Sequence, residues 1–135
     1  MIESIMAKKF KTKIKHEPVH FFRIETGATI VGVPDWYLRS KWKDIWIEAK
    51  EIKRWPVKPT TRITIPFRPG QYNWIVKHQE FCGKVLLAVT YKDKWYFFYD
   101  IRLNYTQKEF EFLNILPDEF NNITGHDLLT LLNSL

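Results

Sequence analysis

Two carboxylates and an amine are the residues of this chain whose types and spacing could do chemistry. Asp35 follows Pro34, and Glu48-Ala49-Lys50 closes the run Ile45-Trp46-Ile47-Glu48-Ala49-Lys50. Side chains alternate faces along a strand, so Trp46, Glu48 and Lys50 share one face and Ile45, Ile47 and Ala49 the other, which faces the core. The carboxylate and the ammonium then stand ~7 Å apart on one side. If Asp35 approaches from a neighbouring strand, the two carboxylates repel, and a cation between them relieves that repulsion. Oxygen ligands on a hydrated site suit Mg²⁺, at about 2.0–2.1 Å, with Mn²⁺ able to substitute. Such an ion lowers the pKa of a bound water and offsets charge at a phosphorus centre. A neighbouring amine orients that water, helps deprotonate it, or stabilises negative charge. The set fits phosphodiester hydrolysis, whereas sugar or peptide chemistry needs other groups.

Several elements must position these residues. Ile2, Ile5, Met6, Phe10 and Ile14 recur at helical spacing among lysines, which predicts an amphipathic helix from Ile2 to about Lys15. Pro18 ends it. Val19 to Glu25 reads as a strand and Thr26-Gly27 as a turn. Thr29 to Val33 reads as a second strand that runs into Pro34-Asp35 and resumes through Trp36-Tyr37-Leu38, placing Asp35 just past it. Asp44 to Lys50 is a third, and short strands in succession imply an antiparallel meander. Pro34 leaves a ladder bond unmade, which lets the chain bend open beside Asp35. Arg54 to Pro69 holds Pro56, Pro59, Pro66 and Pro69 and reads as an extended, ordered loop. A helix follows, with Pro69 in its first turn and Gly83 at its exit. Its apolar stripe is Trp74, Ile75, His78, Phe81 and Cys82, and Gln71 falls on that stripe, so it points at the sheet. Val85 to Val89 is apolar on both faces, as in a buried central strand reached by a helical crossover. A hairpin at Lys92-Asp93 leads to a strand from Trp95 to Ile101. Two C-terminal helices follow, opened by capping boxes at Thr106…Glu109 and Thr124…Asp127. The order predicts a mixed central sheet flanked by helices, an α/β or α+β sandwich.

The 135 residues suit one domain, residues 1–135, and the 45% hydrophobic content supplies its core. The net charge of +6 favours an acidic partner, most often nucleic acid. Cationic side chains gather at Lys8-Lys9-Lys11-Lys13-Lys15, at Arg39-Lys41-Lys43, and at Lys50-Lys53-Arg54-Lys58-Arg62-Arg68. The last group flanks the carboxylates, so Lys53, Arg54, Lys58, Arg62 and Arg68 are the candidate DNA contacts; the lysines near the N-terminus read equally well as a solvated helix face. A single cysteine, Cys82, allows no internal disulfide and fits a reducing, cytoplasmic compartment. His16, His20, His78 and His126 lie too far apart for a zinc cluster. No apolar run approaches the ~18 residues of a membrane span, and residues 1–15 lack a signal-peptide core.

The segments Gly32-Val33-Pro34-Asp35, Trp46-Ile47-Glu48-Ala49-Lys50 and Arg68-Pro69-Gly70-Gln71 together resemble the PD-(D/E)XK nuclease superfamily, and within it the VRR-NUC branch with the related phage endonucleases and junction resolvases. The resemblance spans roughly Glu3 to Val89. It implies a restriction-endonuclease-like αβββαβ core and a Mg²⁺-dependent DNA endonuclease of phage or mobile-element origin, acting as a homodimer. It implies that Asp35 and Glu48 bind the ion, that the Ala49 carbonyl joins its shell, that Lys50 is catalytic and that Gln71 supports the site. A glutamate of the N-terminal helix completes such sites, and Glu3 is the best match, with Glu17 and Glu25 as rivals. Two features depart from the pattern: Trp36 stands where an aliphatic residue is usual, and the proline-rich loop is longer and more basic. The alternative is a nuclease fold that binds DNA without cutting it, and, among nucleases, a homing or restriction enzyme rather than a junction resolvase.

Two look-alikes carry no weight. Pro117-Asp118 has no partner strand after it, and Glu51-Ile52-Lys53 lies past the apolar alternation and reads as surface charge. His78 reads as a packed core histidine, and His16 and His20 as surface. Trp36, Trp42, Trp55 and Tyr72 either stack on unpaired bases or, more often for such residues, pack in the core or a dimer interface.

Overall fold

In the computed structural model, which describes residues 1–24, 32–117 and 119–135, the elements run α1 (Glu3–Ile14), β1 (His20–Arg23), β2 (Trp36–Arg39), β3 (Asp44–Ile52), β4 (Ile63–Thr64), α2 (Gln71–Glu80), β5 (Val85–Tyr91), β6 (Lys94–Phe98), β7 (Asn104–Tyr105), α3 (Gln107–Leu113) and α4 (Gly125–Asn133). The main sheet has the order β1-β2-β3-β5-β6. The first three strands form the expected antiparallel meander, β5 joins β3 in parallel, and β6 returns antiparallel to β5. Only a crossover can join parallel neighbours, and α2 supplies it. The mixed sheet flanked by helices is thus the predicted fold.

Each face of the sheet has its own core. Met6, Phe10 and Ile14 of α1 and Leu128 and Leu132 of α4 pack on Leu38, Ile45, Ile47, Ala88 and Phe97. On the other face Ile75 of α2 and Phe110 of α3 pack on Val85, Leu87, Val89 and Phe98. β5 faces both cores and is buried along Val85 to Thr90, which explains its unbroken apolar run. Burying an aliphatic or Phe side chain of this kind contributes about 1.5–3 kcal/mol.

Several expectations are corrected. β2 is the predicted resumption through Trp36-Tyr37-Leu38, but Gly32 and Val33 before it are not strand, so Asp35 stands at the start of β2, immediately before Trp36. Gly32 turns the chain at φ 88°, and Pro34 can donate no ladder bond, so pairing with β3 starts only at Trp36. Thr29 to Val31, Glu25 and the Thr26-Gly27 turn lie outside the described residues, as does Asp118. The stripe of α2 stops early: the helix ends at Glu80, Cys82 takes φ 64°, and Phe81 and Cys82 are exposed. Ile2 and Ile5 are exposed as well, leaving Met6, Ala7, Phe10 and Ile14 as the buried stripe of α1. Pro69 stands before the α2 cap, Gly70, not in its first turn. The strand predicted to Ile101 ends at Phe98. The proline-rich loop contains β4, which pairs with β7 and ties the loop to α3. Thr106 and Glu109 form a full capping box, whereas Thr124 caps α4 through the Asp127 N–H alone. Among the described residues no helix is long and apolar enough to cross a membrane.

Candidate active site

The site arises where two neighbouring strands end at different heights. β2 starts at Trp36, opposite Ile47, while β3 continues to Ile52. Extending the antiparallel register by one residue sets Asp35 opposite Glu48. The Trp46 N–H donates to Lys84 on the β5 side, so by alternation the N–H and carbonyl of Ala49 face the other way, into the gap that β2 leaves. Asp35 fills part of that gap: its Oδ2 accepts the Ala49 N–H at 2.9 Å. The Ala49 carbonyl points into the same gap.

On the α2 face Glu48, Lys50 and Gln71 form a buried cluster. The Lys50 Nζ donates to Gln71 Oε1 at 2.7 Å, and Gln71 Nε2 donates to Glu48 Oε1 at 3.0 Å. Lys50 Nζ lies 3.5 Å from Glu48 Oε1. The Arg68 N–H also donates to Gln71 Oε1, at 2.7 Å. That bond fixes the amide so that its NH₂ faces the carboxylate. The Lys50 ammonium lies over the Phe67 ring, 5.8 Å from its centroid. Asp35 and Lys50 reach a cleft of about 360 Å³ shared with Ile2, Glu3, Ala49, Glu51, Pro66 and Arg68, and Glu48 sits beneath them.

Burial, and then the neighbouring Asp35 carboxylate, push the Glu48 carboxyl up to about 9, against the opposing pull of Lys50. Glu48 Oε2 is buried with no hydrogen-bond partner. An orphaned carboxylate oxygen beside a second carboxylate and a free-facing carbonyl is the donor set a hard divalent cation takes. The residues therefore fit a hard divalent cation. Among the described residues no three His, Cys, Asp or Glu side chains gather to hold a metal by themselves, so two carboxylates and a carbonyl are what the protein would offer an ion, leaving the rest of its shell to water or phosphate oxygens.

The structure thus brings Asp35, Glu48, Ala49, Lys50 and Gln71 together. Glu3 lines the same cleft, but its oxygens are engaged: Oε1 accepts from the Trp36 indole at 2.7 Å and Oε2 from Arg23 at 2.5 Å. Its rival Glu17 lies instead beside His126. Lys53, Arg54, Lys58 and Arg68 are exposed along the loop after β3. Arg62 is tied down, donating to Asn104 Oδ1 at 3.0 Å and lying 3.6 Å from Glu109. Trp36 is fully buried and Trp55 packs on Tyr91, Tyr96 and Phe110, so neither offers a free ring face; Trp42 is 73% exposed. Three residues of the site escape sequence reasoning. Phe67 and Arg23 carried no signal, and the Trp36 indole was legible only as a large residue beside Asp35.

No family model matches this chain, and no curated protein matches it in sequence. Among solved structures the chain is similar to Hjc, a Holliday junction resolvase from the archaeal hyperthermophile Archaeoglobus fulgidus, with a TM-score of 0.56 and 11% identity over 80% of this chain and 89% of that one. What the two proteins share at that identity is the fold, a five-stranded mixed sheet flanked by helices.

Proposed function

We propose that this chain is a Mg²⁺-dependent DNA endonuclease of the PD-(D/E)XK type, a single catalytic domain that acts as a homodimer, of phage or mobile-element origin. The observation that carries the reading is the offset between β2 and β3, which leaves Asp35 and Glu48 side by side at an open strand edge with Lys50 and Gln71 at their shoulder. The fold shared with a Holliday junction resolvase supports it.

Asp35, Glu48 and the Ala49 carbonyl are the groups that would hold the ion, which when bound supplies Lewis-acid charge to water and phosphate. The chain's own residues do the rest. Gln71, itself fixed by the Arg68 N–H, holds both the Glu48 carboxylate and the Lys50 ammonium in place. Lys50, resting on Phe67, presents its ammonium to the cleft, where it stabilises developing negative charge or holds the attacking water. Glu3 remains the candidate third carboxylate, which would require exchange of its bonds to Trp36 and Arg23. Lys53, Arg54, Lys58 and Arg68 neutralise backbone phosphates, each contributing a slope of about −0.9 to log K against log salt. Two copies supply one site per strand.

The test is supercoiled plasmid incubated with Mg²⁺ or with chelator. The expected result is nicking and linearisation with Mg²⁺ only, lost in Asp35→Asn. DNA binding with an intact plasmid would replace this reading by a silent DNA-binding module, and cleavage that survives Asp35→Asn would remove the metal-site assignment.

A further inference from the structure

A row of aromatic rings lies beside the carboxylates on the same face of the sheet. Phe22 of β1 pairs with Tyr37 of β2, and Tyr37 pairs with Trp46 of β3, so the three are direct cross-strand partners. Their rings touch in sequence, Phe22 to Tyr37 at 5.2 Å and Tyr37 to Trp46 at 5.0 Å between centroids. His20, two residues back along β1, lies 5.0 Å from Phe22, and Trp74 of α2 covers the other end of the row, 5.5 Å from Trp46. Phe21, between His20 and Phe22, points the opposite way and packs on Phe10 and Trp36.

One end of the row is core, with Trp46 and Trp74 packed against the cluster under α2, and the other end is open. His20 is exposed, Phe22 is 39% exposed, and Tyr37 and Trp46 are half-buried. Two residues along each strand, ~7 Å away, Tyr37 gives way to Asp35 and Trp46 to Glu48. The rings therefore form the next transverse row after the carboxylates. Along the strands, cations stand on both sides of the row: Lys50 and Arg68 at the cleft, and Arg39, Lys41 and Lys43, the last donating to the Leu135 carbonyl, at the far end of β2 and the turn after it. Arg39 is shared there with Asp44, at 4.0 Å.

Rings that open to solvent at a sheet edge between cations are suited to a polyanion that carries flat π-faces, a single-stranded nucleic acid. A paired duplex hides its base faces in the stack and presents only backbone and groove edges. We infer that the open Phe22-Tyr37 end of this row, backed by Trp46, is a stacking platform for unpaired DNA bases, so that the substrate class of the adjacent site is a duplex bearing unpaired nucleotides next to the cut, as in a flap, a fork or an opened junction. The inference rests on the nuclease reading for its substrate but not for its binding test.

The experiment compares, by fluorescence anisotropy with Ca²⁺ in place of Mg²⁺, a blunt duplex with the same duplex carrying a short oligothymidine tail. The native protein is expected to bind the tailed duplex about tenfold more tightly, as one stacked base provides. Phe22→Ala brings that ratio close to one. Phe22→Leu, which keeps the apolar bulk of the edge strand, does the same, whereas Phe22→Trp retains the preference; circular dichroism melts confirm that each variant is folded. Equal binding of both duplexes by the native protein, or an unchanged ratio in the alanine and leucine variants, overturns the platform. Tighter binding of an RNA tail than a DNA tail overturns its assignment to DNA. Plasmid nicking without a tail preference removes the platform and leaves the nuclease, and a tail preference without nicking does the reverse.

Discussion

Replacing Glu48 by glutamine separates the metal-site reading from a merely structural cluster. Burial and then Asp35 raise the Glu48 carboxyl from an ordinary 4.5 to about 9. Between those values the folded protein keeps a proton that the unfolded chain has released. Stability conferred by the protonated form is complete below the lower value and is lost as pH rises toward the higher one, at about 1.4 kcal/mol per pH unit. From pH 5 to pH 8 the metal-free protein should lose about 4 kcal/mol on this account, a large part of a typical domain's 5–15. Glutamine imitates the protonated acid: its carbonyl can accept from Gln71 and lie beside Lys50 as Glu48 Oε1 does, and its NH₂ occupies the place of the orphaned Oε2. Glu48→Gln should therefore match the native protein near pH 5 and exceed it by about 4 kcal/mol at pH 8. Urea denaturation in chelator across that range, with the midpoint and slope read for both proteins, measures the difference. Adding Mg²⁺ at a hundredfold its dissociation constant should restore about 2.7 kcal/mol to the native protein and none to the variant. Parallel pH profiles for the two proteins would refute the reasoning.

Other outcomes follow from the same geometry. Lys50→Met should lower single-turnover nicking by at least about a hundredfold while the fold persists, because methionine keeps most of the buried volume and Gln71 Oε1 still accepts from the Arg68 N–H; nicking at the native rate would exclude Lys50 from the chemistry. Lys58→Ala should flatten the salt dependence of DNA binding by about 0.9 in slope, whereas Arg62→Ala, whose guanidinium is bonded to Asn104 and paired with Glu109, should lower the melting temperature instead; a flatter salt slope in the arginine variant would make Arg62 a phosphate contact. Gly32→Ala should destabilise the fold by at least about 1–3 kcal/mol, since Gly32 sits at φ 88° and an added Cβ would lie 2.5 Å from the Gly70 carbonyl oxygen. An unchanged melting temperature there would show that the turn before Asp35 can relax.

The parts of this protein legible from its residues are those set by local periodicity. Strand alternation put Glu48 and Lys50 on one face, helical spacing turned Gln71 toward the sheet, and the doubly apolar Val85–Val89 run marked the central strand. The errors fall where chain geometry overrides pattern. The α2 stripe failed at Phe81 because Cys82 leaves the helical region, and the strand predicted to reach Val33 does not include Gly32 and Val33 because Gly32 turns the chain at positive φ. Which residues faced which core, and which strand ends were left unpaired, was not written in any window of the sequence.

Sequence by itself determined the chemical types at the site and their phase along each element, because side-chain direction within a strand or helix depends on neighbours a few residues away. Only the tertiary structure decided that β3 outruns β2, that the Ala49 carbonyl faces the resulting gap, that Trp36 and Arg23 hold Glu3, and that Phe22, Tyr37 and Trp46 align into one row. Those are matters of register between segments, set by long-range packing on both faces of the sheet.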